Sequence, residues 1–208
     1  MYTQTLSEER LNALTHAIGA VLGVLGLILL LFKNTYKTQY SQIGIFIYGL
    51  SFIALFAVSA IYHGVRSYRL KSAFRILDHI SIYLLIAGTY TPVLVISLLE
   101  SKGASLLIVV WSIAALGIVM KLFFTGRFEV FSTLLYLVMG WIIVFDFATL
   151  KAVMPLGGMI YLVAGGLFYT IGIIFYAIEK IPYNHVIWHL FVLAGAICHY
   201  LVILNYVI

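Results

Sequence analysis

Long runs of apolar residues, separated by short polar stretches, extend along the whole chain. A helix needs roughly 20 apolar residues to cross the hydrocarbon core of a bilayer, and seven segments reach that length. Strand-like alternation of apolar and polar residues is absent, which argues against a β-barrel. The pattern therefore predicts an all-α membrane protein, a seven-transmembrane-helix bundle, with spans at about 12–32, 43–63, 76–98, 104–124, 130–150, 155–178 and 185–207.

The connections between these spans are short, and they leave no room for a separate soluble domain. We therefore expect residues 1–208 to form a single integral membrane domain in which consecutive helices are antiparallel neighbours. Pro92 lies inside the third span and is expected to kink that helix, because proline has no backbone N–H. Gly19 and Gly23 lie one turn apart in the first span, and small residues at this spacing are expected where helices approach closely.

The composition supports the membrane assignment. Hydrophobic residues make up 64% of the chain and charged residues 9%. A soluble domain contains about a quarter charged residues, so this chain cannot cover itself with a water-compatible surface. That excludes a soluble enzyme and a DNA-binding domain. The single cysteine, Cys198, excludes a disulfide scaffold and a cysteine-rich zinc module.

Lysine and arginine residues are unequally divided between the two sides of the membrane that seven spans define. Cytoplasmic loops carry the excess of these residues in membrane proteins. We therefore expect a cytoplasmic N-terminus, an external C-terminus and a multi-pass protein of the plasma membrane. The net charge of +5 is interpreted as an orientation signal, and no nucleic-acid partner is expected. The side with the N-terminus has Arg10, Arg66, Arg69, Lys71, Arg75, Lys121, Arg127 and Lys180, and the opposite side has Lys33, Lys37, Lys102 and Lys151.

Three histidines and one aspartate are concentrated at the cytoplasmic ends of the predicted spans. Ionisable residues inside a membrane are costly, so each one requires a partner or a function. His63 ends the second span, and Asp78 opens the third. His185 and His189 open the seventh span. All of these ends face the cytoplasm, so we expect the four side chains to lie at one depth.

Their chemistry indicates a metal site. His185 and His189 are four residues apart, which places both on one face of a helix. With His63 they provide three imidazole ligands and leave a fourth tetrahedral position for water. Nitrogen donors suit zinc better than magnesium or calcium. We therefore predict a zinc site with His63, His185 and His189 as ligands and with Asp78 at the same depth beside them. The alternatives for single residues are a hydrated interfacial histidine and, for Asp78, a helix cap.

Other polar residues near this layer are interpreted differently. Ser59 lies one turn before the first histidine ligand; it could bond to the backbone carbonyl four residues back or orient Asp78 and the water. His16 continues a polar stripe on the first span and is expected to support the site or to pack. His79 is rotated about 100° from Asp78 along the helix and is expected to face elsewhere. His199 lies deeper and is expected to form a hydrogen bond between helices.

The chain carries five motifs in a fixed order, Asn12-x2-Thr15-His16-x2-Gly19, Ser59-x3-His63, Leu77-Asp78-His79, Ala87-Gly88-Thr89-Tyr90-Thr91-Pro92 and His185-x3-His189. Together they resemble the haemolysin III family, within the progestin and adipoQ receptor (adiponectin receptor-like) superfamily. The resemblance covers essentially the whole chain. It implies seven helices, an internal N-terminus, and zinc held by His63, His185 and His189. Asp78 matches the acidic residue that contacts the zinc-bound water, and Ser59 matches the serine of the same site.

The function expected from these residues is zinc-dependent hydrolysis of a lipid amide or ester. Asp78 is the expected general base, with Ser59 in the same catalytic site. A membrane lipid, ceramide-like or a phospholipid, is the expected substrate. One alternative is a non-enzymatic membrane sensor or regulator with structural zinc. A pore-forming cytolysin is a further alternative, but a secreted toxin needs a water-soluble form and this chain has none.

Overall fold

The structure is a computed structural model that describes residues 4–208. Within that range there are no strands, and seven spans are long and apolar enough to cross a membrane. The predicted all-α, seven-helix fold class is therefore confirmed. The helices are α1 (Leu6–Lys33), α2 (Ser41–Gly64), α3 (Tyr68–Pro92), α4 (Gly103–Phe124), α5 (Glu129–Trp141), α6 (Phe147–Val153), α7 (Leu156–Ala177) and α8 (Asn184–Val202). The short helix α6 completes the fifth span begun by α5.

The first helix begins earlier than the apolar pattern indicated, at Leu6 instead of near residue 12. Thr5 and Glu8 form a capping box that satisfies backbone N–H groups at the start of α1. The Glu8 N–H donates to Thr5 Oγ1 at 3.3 Å, and the Thr5 N–H donates to Glu8 Oε2 at 2.7 Å. As a result, Glu8 and Glu9 belong to the first turn of the helix. They are therefore held in fixed positions beside the neighbouring helices.

The bundle is arranged around its third span. Consecutive helices α1, α2, α3 and α4 contact one another, α7 contacts α8, and α1 also packs against α8. In the third span, 72% of the most apolar window is buried, against 50% or less in the other spans. The first helix therefore contacts two helices that are far apart in the sequence, α2 and α8. These two helices carry the three histidines selected above.

The third span changes its helical geometry directly after Pro92. α3 ends at Pro92 and continues as a wider π-helical turn from Val93 to Ser97. Proline cannot donate the hydrogen bond that would continue the α-helical ladder, which accounts for the position of the change. One turn before the change, the Thr91 hydroxyl also donates to the Ala87 carbonyl at 2.8 Å. The third span thus widens locally directly after the residue where a kink was expected.

The fifth span is interrupted by a side chain from the third. The Tyr90 hydroxyl donates to the Gly140 carbonyl at 2.9 Å and accepts the Ile143 N–H at 3.1 Å. A hydroxyl inserted into the backbone ladder in this way displaces an intrahelical hydrogen bond. The chain accordingly tightens into a 3₁₀ turn from Ile142 to Asp146 before α6 begins. This break, like the one after Pro92, lies away from the histidine-bearing ends.

Candidate metal centre

Three histidine side chains from two helices meet at one end of the bundle. His63 lies in the last turn of α2, and His185 and His189 lie in the first turns of α8. The ring centroid of His63 is 5.2 Å from that of His185 and 4.9 Å from that of His189. The centroids of His185 and His189 are 4.6 Å apart. One nitrogen from each ring lies within 4.8 Å of the others, so the structure brings the three selected histidines together.

Two of these rings are deeply buried and carry nitrogens that are free to bind a metal ion. His63 is 4% exposed and His189 is 2% exposed. His63 Nε2 and His189 Nδ1 are buried and have no hydrogen-bond partner within residues 4–208. A buried polar atom without a partner costs about 1–3 kcal/mol, which a metal bond would offset. Two nitrogens on a tetrahedral zinc ion are about 3.4 Å apart, so small side-chain rotations bring this cluster to ligand distance.

A carboxylate that the sequence analysis did not select lies against the cluster. His63 Nδ1 and Glu9 Oε2 are 2.7 Å apart. Because a carboxylate only accepts hydrogen bonds, Nδ1 is the donor and Nε2 is left for a metal ion. Metal-ligating histidines usually donate their other ring N–H to a carboxylate in this way. The helical spacing of Glu9, Asn12 and His16 on one face of α1 was the available signal for it.

Asp78 and Ser59 lie beside the three histidines. Both line the same cavity as His185 and His189. Ser59 is 2% exposed, and its side chain is the neighbour that can donate a hydrogen bond to the half-buried Asp78 carboxylate. Asp78 is not a member of the group of ligand atoms that meet within 4.8 Å in the described chain. Its position is therefore compatible with contact to a metal ion through an intervening water.

The cavity is narrow and mostly apolar. Its volume is about 130 Å³, and it extends along α8 from His185 to His199. Fourteen residues of helix span roughly 21 Å, so the cavity runs deep into the bundle. The cavity therefore joins the polar cluster at one end of the bundle to an aliphatic and aromatic interior. Wall residues include Leu55, Ile82, Leu85, Ile86, Ile173 and Val192.

The remaining histidines have distinct surroundings. His16 stacks on His189 with ring centroids 3.6 Å apart, which agrees with a supporting position next to the cluster. His199 Nε2 lies 3.2 Å from the Leu162 carbonyl, so the expected hydrogen bond between helices is present. His79 points its Nδ1 toward Glu129 Oε1 at 3.8 Å. However, His79 also lines the cavity, as Asp78 does, which contradicts the expectation that it faces elsewhere.

The donor set fits zinc or a similar transition metal. Three imidazole nitrogens with a nearby carboxylate match the ligands of catalytic zinc sites, in which a fourth position stays open. Calcium and magnesium prefer oxygen ligands, whereas the ligand atoms that meet in this cluster are imidazole nitrogens. The buried nitrogens without partners are the structural observation that supports this fit.

Seven apolar helices with a three-histidine cluster at one end define a multi-pass integral membrane protein with a candidate metal site. The family model described as "Haemolysin-III related" matches residues 4–200. The match covers nearly the whole chain, and the chain belongs to the haemolysin III family.

Individual proteins support this assignment. The chain is 42% identical over 207 residues to "Hemolysin-3" of Bacillus cereus, which covers 99% of this chain and 94% of that protein. It is 41% identical over 203 residues to "Hemolysin-3 homolog" of Bacillus subtilis (strain 168), covering 97% and 95%. It is also 30% identical over 214 residues to "Monocyte to macrophage differentiation factor" of Homo sapiens, covering 99% and 87%. The human protein is a distant relative in the progestin and adipoQ receptor superfamily.

Proposed function

We propose that the protein is a zinc-dependent hydrolase of a lipid amide or ester in the plasma membrane. The observation that carries this proposal is a single constellation. Of the three histidines that can hold a metal ion, His185 and His189 line a cavity together with a carboxylate and a serine, and that cavity continues into an apolar interior. The proposed metal ligands are His63, His185 and His189. Asp78 contacts the metal ion through a water molecule and is the general base for that water. Ser59 supports Asp78.

The proposed reaction adds water across an acyl bond. Bound zinc supplies a Lewis acid for the carbonyl and brings the pKa of water close to about 7. Asp78 accepts a proton from the attacking water as its oxygen bonds to the carbonyl carbon. Asp78 then passes that proton to the leaving nitrogen or oxygen as the C–N or C–O bond breaks. The products are a carboxylic acid and an amine or alcohol, and Asp78 regains its initial state.

Ser59 and the histidines keep this geometry fixed. In this proposal the Ser59 hydroxyl donates a hydrogen bond to the Asp78 carboxylate and leaves its other oxygen for the attacking water. Ser59 and His63 lie four residues apart on α2, and one helix face therefore sets both the base and a ligand. Fixed positions of this kind lower the entropic part of the barrier.

The substrate class follows from the shape and lining of the cavity. Its aliphatic walls suit a single acyl chain and exclude water from the interior. The polar cluster at the end of the cavity would face the acyl bond near the headgroup. In a ceramide-like lipid or a phospholipid, an acyl chain is joined through an amide or ester bond close to the polar headgroup. We therefore propose a membrane lipid as the substrate.

A second function, a membrane sensor or regulator with structural zinc, is favoured by one contact. The His16 ring covers one side of His189 and reduces the open space at the cluster. Structural zinc sites have four protein ligands, whereas the described chain brings only three ligand atoms together. The open position therefore favours the hydrolase, and activity measurements separate the two functions.

The test compares purified wild type with Asp78→Asn in lipid nanodiscs, with zinc content and hydrolysis of labelled ceramide and phospholipid measured together. We expect Asp78→Asn to keep its zinc and to lose about 100-fold or more of the activity, the usual contribution of a general base. The control is Glu100→Gln, because Glu100 is exposed and lies at the opposite end of the bundle. Zinc-loaded wild type without hydrolytic activity would favour the sensor, and full activity in Asp78→Asn would remove Asp78 from the mechanism.

A further inference from the structure

The first turn of α1 contacts both elements that carry the histidine cluster. Glu9 Oε2 accepts a hydrogen bond from His63 Nδ1 at 2.7 Å, and Glu9 Oε1 accepts one from Lys71 Nζ at 2.8 Å. Lys71 also donates to the Tyr62 carbonyl at 3.3 Å. The Glu9 carboxylate is thus held from two sides, by a ligand histidine and by Lys71. Lys71 lies on α3 and is held in turn by its hydrogen bond to the last turns of α2.

The adjacent glutamate makes the corresponding contact on the other side. Glu8 Oε1 accepts the backbone N–H of Tyr183 at 3.3 Å, immediately before the start of α8. Tyr183 has a φ of 56°, in the left-handed region that residues other than glycine rarely adopt. The other oxygen of Glu8 is held by Thr5 in the capping box. Glu8 is 4% exposed, so this link lies inside the protein.

Two neighbouring glutamates therefore connect one helix to both ligand-bearing helices. α1 packs against α2 and against α8, and His16 on the same face of α1 stacks on His189. Because His63 comes from α2 whereas His185 and His189 come from α8, the distance between the ligands depends on how these two helices are held. The start of α1 is the element that contacts both.

We propose that Glu8 and Glu9 form a positioning clasp for the metal site. Glu9 fixes the His63 ring so that Nδ1 carries the hydrogen and Nε2 faces the cluster. Glu8 fixes the start of α8, and with it the position of His185. This inference rests on the proposed function in one respect, that the three histidines bind a metal ion. It does not depend on whether the protein hydrolyses a lipid.

A positioning role has a measurable consequence for metal affinity. Removal of the carboxylate partner of a metal-ligating histidine typically lowers metal affinity by about 10–100-fold. We expect a loss of that size for Glu9→Ala. Glu9→Gln keeps an oxygen that can accept from Nδ1, so it is expected to retain most of the affinity. Glu9→Asp keeps the charge but is one methylene shorter, and we expect it to lose about 10-fold because it no longer reaches the ring.

The experiment measures zinc affinity of the purified full chain by competition with a chromophoric chelator. The absorption spectrum of the cobalt-substituted protein reports the ligand geometry, and thermal unfolding of the metal-free protein reports the fold. The control is Glu179→Ala, since Glu179 is an exposed glutamate at the same end of the bundle. Weaker zinc binding in Glu9→Ala, recovery in Glu9→Gln and no change in Glu179→Ala would support the clasp.

The other outcomes are separable. Wild type that fails to bind zinc would overturn the metal site and the clasp together. Wild type that binds zinc, with Glu9→Ala and Glu9→Asp binding equally tightly, would overturn the clasp and leave the metal site intact. If Glu9→Ala does not fold, Glu9→Asp decides the question. Glu8→Ala is expected to weaken zinc binding less than Glu9→Ala, because it acts on the backbone before α8, and unchanged affinity would remove Glu8 from the proposal.

Discussion

At the scale of single residues, the chemistry of the site depends on a few nitrogen atoms in buried rings. His63 Nε2 and His189 Nδ1 have no hydrogen-bond partner within residues 4–208. Polar atoms in such surroundings are stabilised by a ligand, an ion or a water. His199, by comparison, is also held inside the bundle but has a carbonyl partner. The histidines near α1 therefore differ from His199 in being available for coordination.

Single substitutions test this difference. We expect His63→Ala and His189→Ala each to reduce bound zinc to well below one ion per chain, because two imidazoles alone hold zinc weakly. His199→Gln is the matched control, since its amide can still contact the Leu162 carbonyl. Elemental analysis of the purified proteins measures the outcome. Full zinc occupancy in either alanine variant would contradict the assignment of that ligand.

The sequence alone identified three of the residues at this scale through their types and spacing. His185 and His189 are separated by one helical turn, and that spacing requires no knowledge of the fold. Glu9 was missed because the apolar pattern placed the helix start near residue 12, whereas the capping box extends α1 back to Leu6. Its contact with His63 joins residues 54 positions apart, and such pairs are set by helix packing.

At the scale of the helices, close packing depends on glycines that accept a neighbouring ring. A Cβ atom on Gly117 would overlap the Tyr83 ring, and Tyr83 is fully buried between α3 and α4. Gly88 leaves similar space for the Ser51 side chain between α3 and α2. Small residues of this kind let transmembrane helices approach each other. Because α3 is the central helix, these contacts determine where Asp78 is held.

Gly117→Ala is expected to destabilise the protein by about 1–3 kcal/mol, because the added methyl group forces the buried Tyr83 ring to move. The measurement is the thermal unfolding midpoint of the purified protein in detergent. Gly140→Ala is the control, since a Cβ atom at Gly140 would meet nothing within 4 Å. An unchanged midpoint for Gly117→Ala would show that α3 and α4 are not closely packed at this position.

At the scale of the whole molecule, the charge distribution and the site share one end of the bundle. The cluster lies at the end of the bundle where α2 ends and α3 and α8 begin, and eight of the twelve Lys and Arg residues lie at that end. If that end faces the cytoplasm, as the distribution of Lys and Arg predicts, the proposed lipid substrate would enter from the inner leaflet. The same orientation places the four remaining lysines and the break after α3 outside.

Cysteine labelling tests the orientation, with Cys198→Ser as the background because Cys198 is the only cysteine. Ser67→Cys and Glu100→Cys place a thiol at exposed positions on opposite ends of the bundle. With a membrane-impermeant maleimide, we expect intact cells to label Glu100→Cys, and Ser67→Cys to be labelled only after lysis. The reverse pattern would place the site on the external face and exclude a substrate from the inner leaflet.

The sequence by itself determined the seven apolar helices and the three histidines, because hydrophobic length and helical spacing are local properties of the chain. The helix start at Leu6 is also recorded locally, in the Thr5-x2-Glu8 capping box, although the apolar pattern does not show it. The Tyr90 break in the fifth span depends on hydrogen bonds between two helices. Only the tertiary structure brought Glu9 to His63 and His16 to His189. The physical reason is that these contacts arise where α1 packs against both α2 and α8. The spacing of residues along one helix does not determine which other helices pack against it.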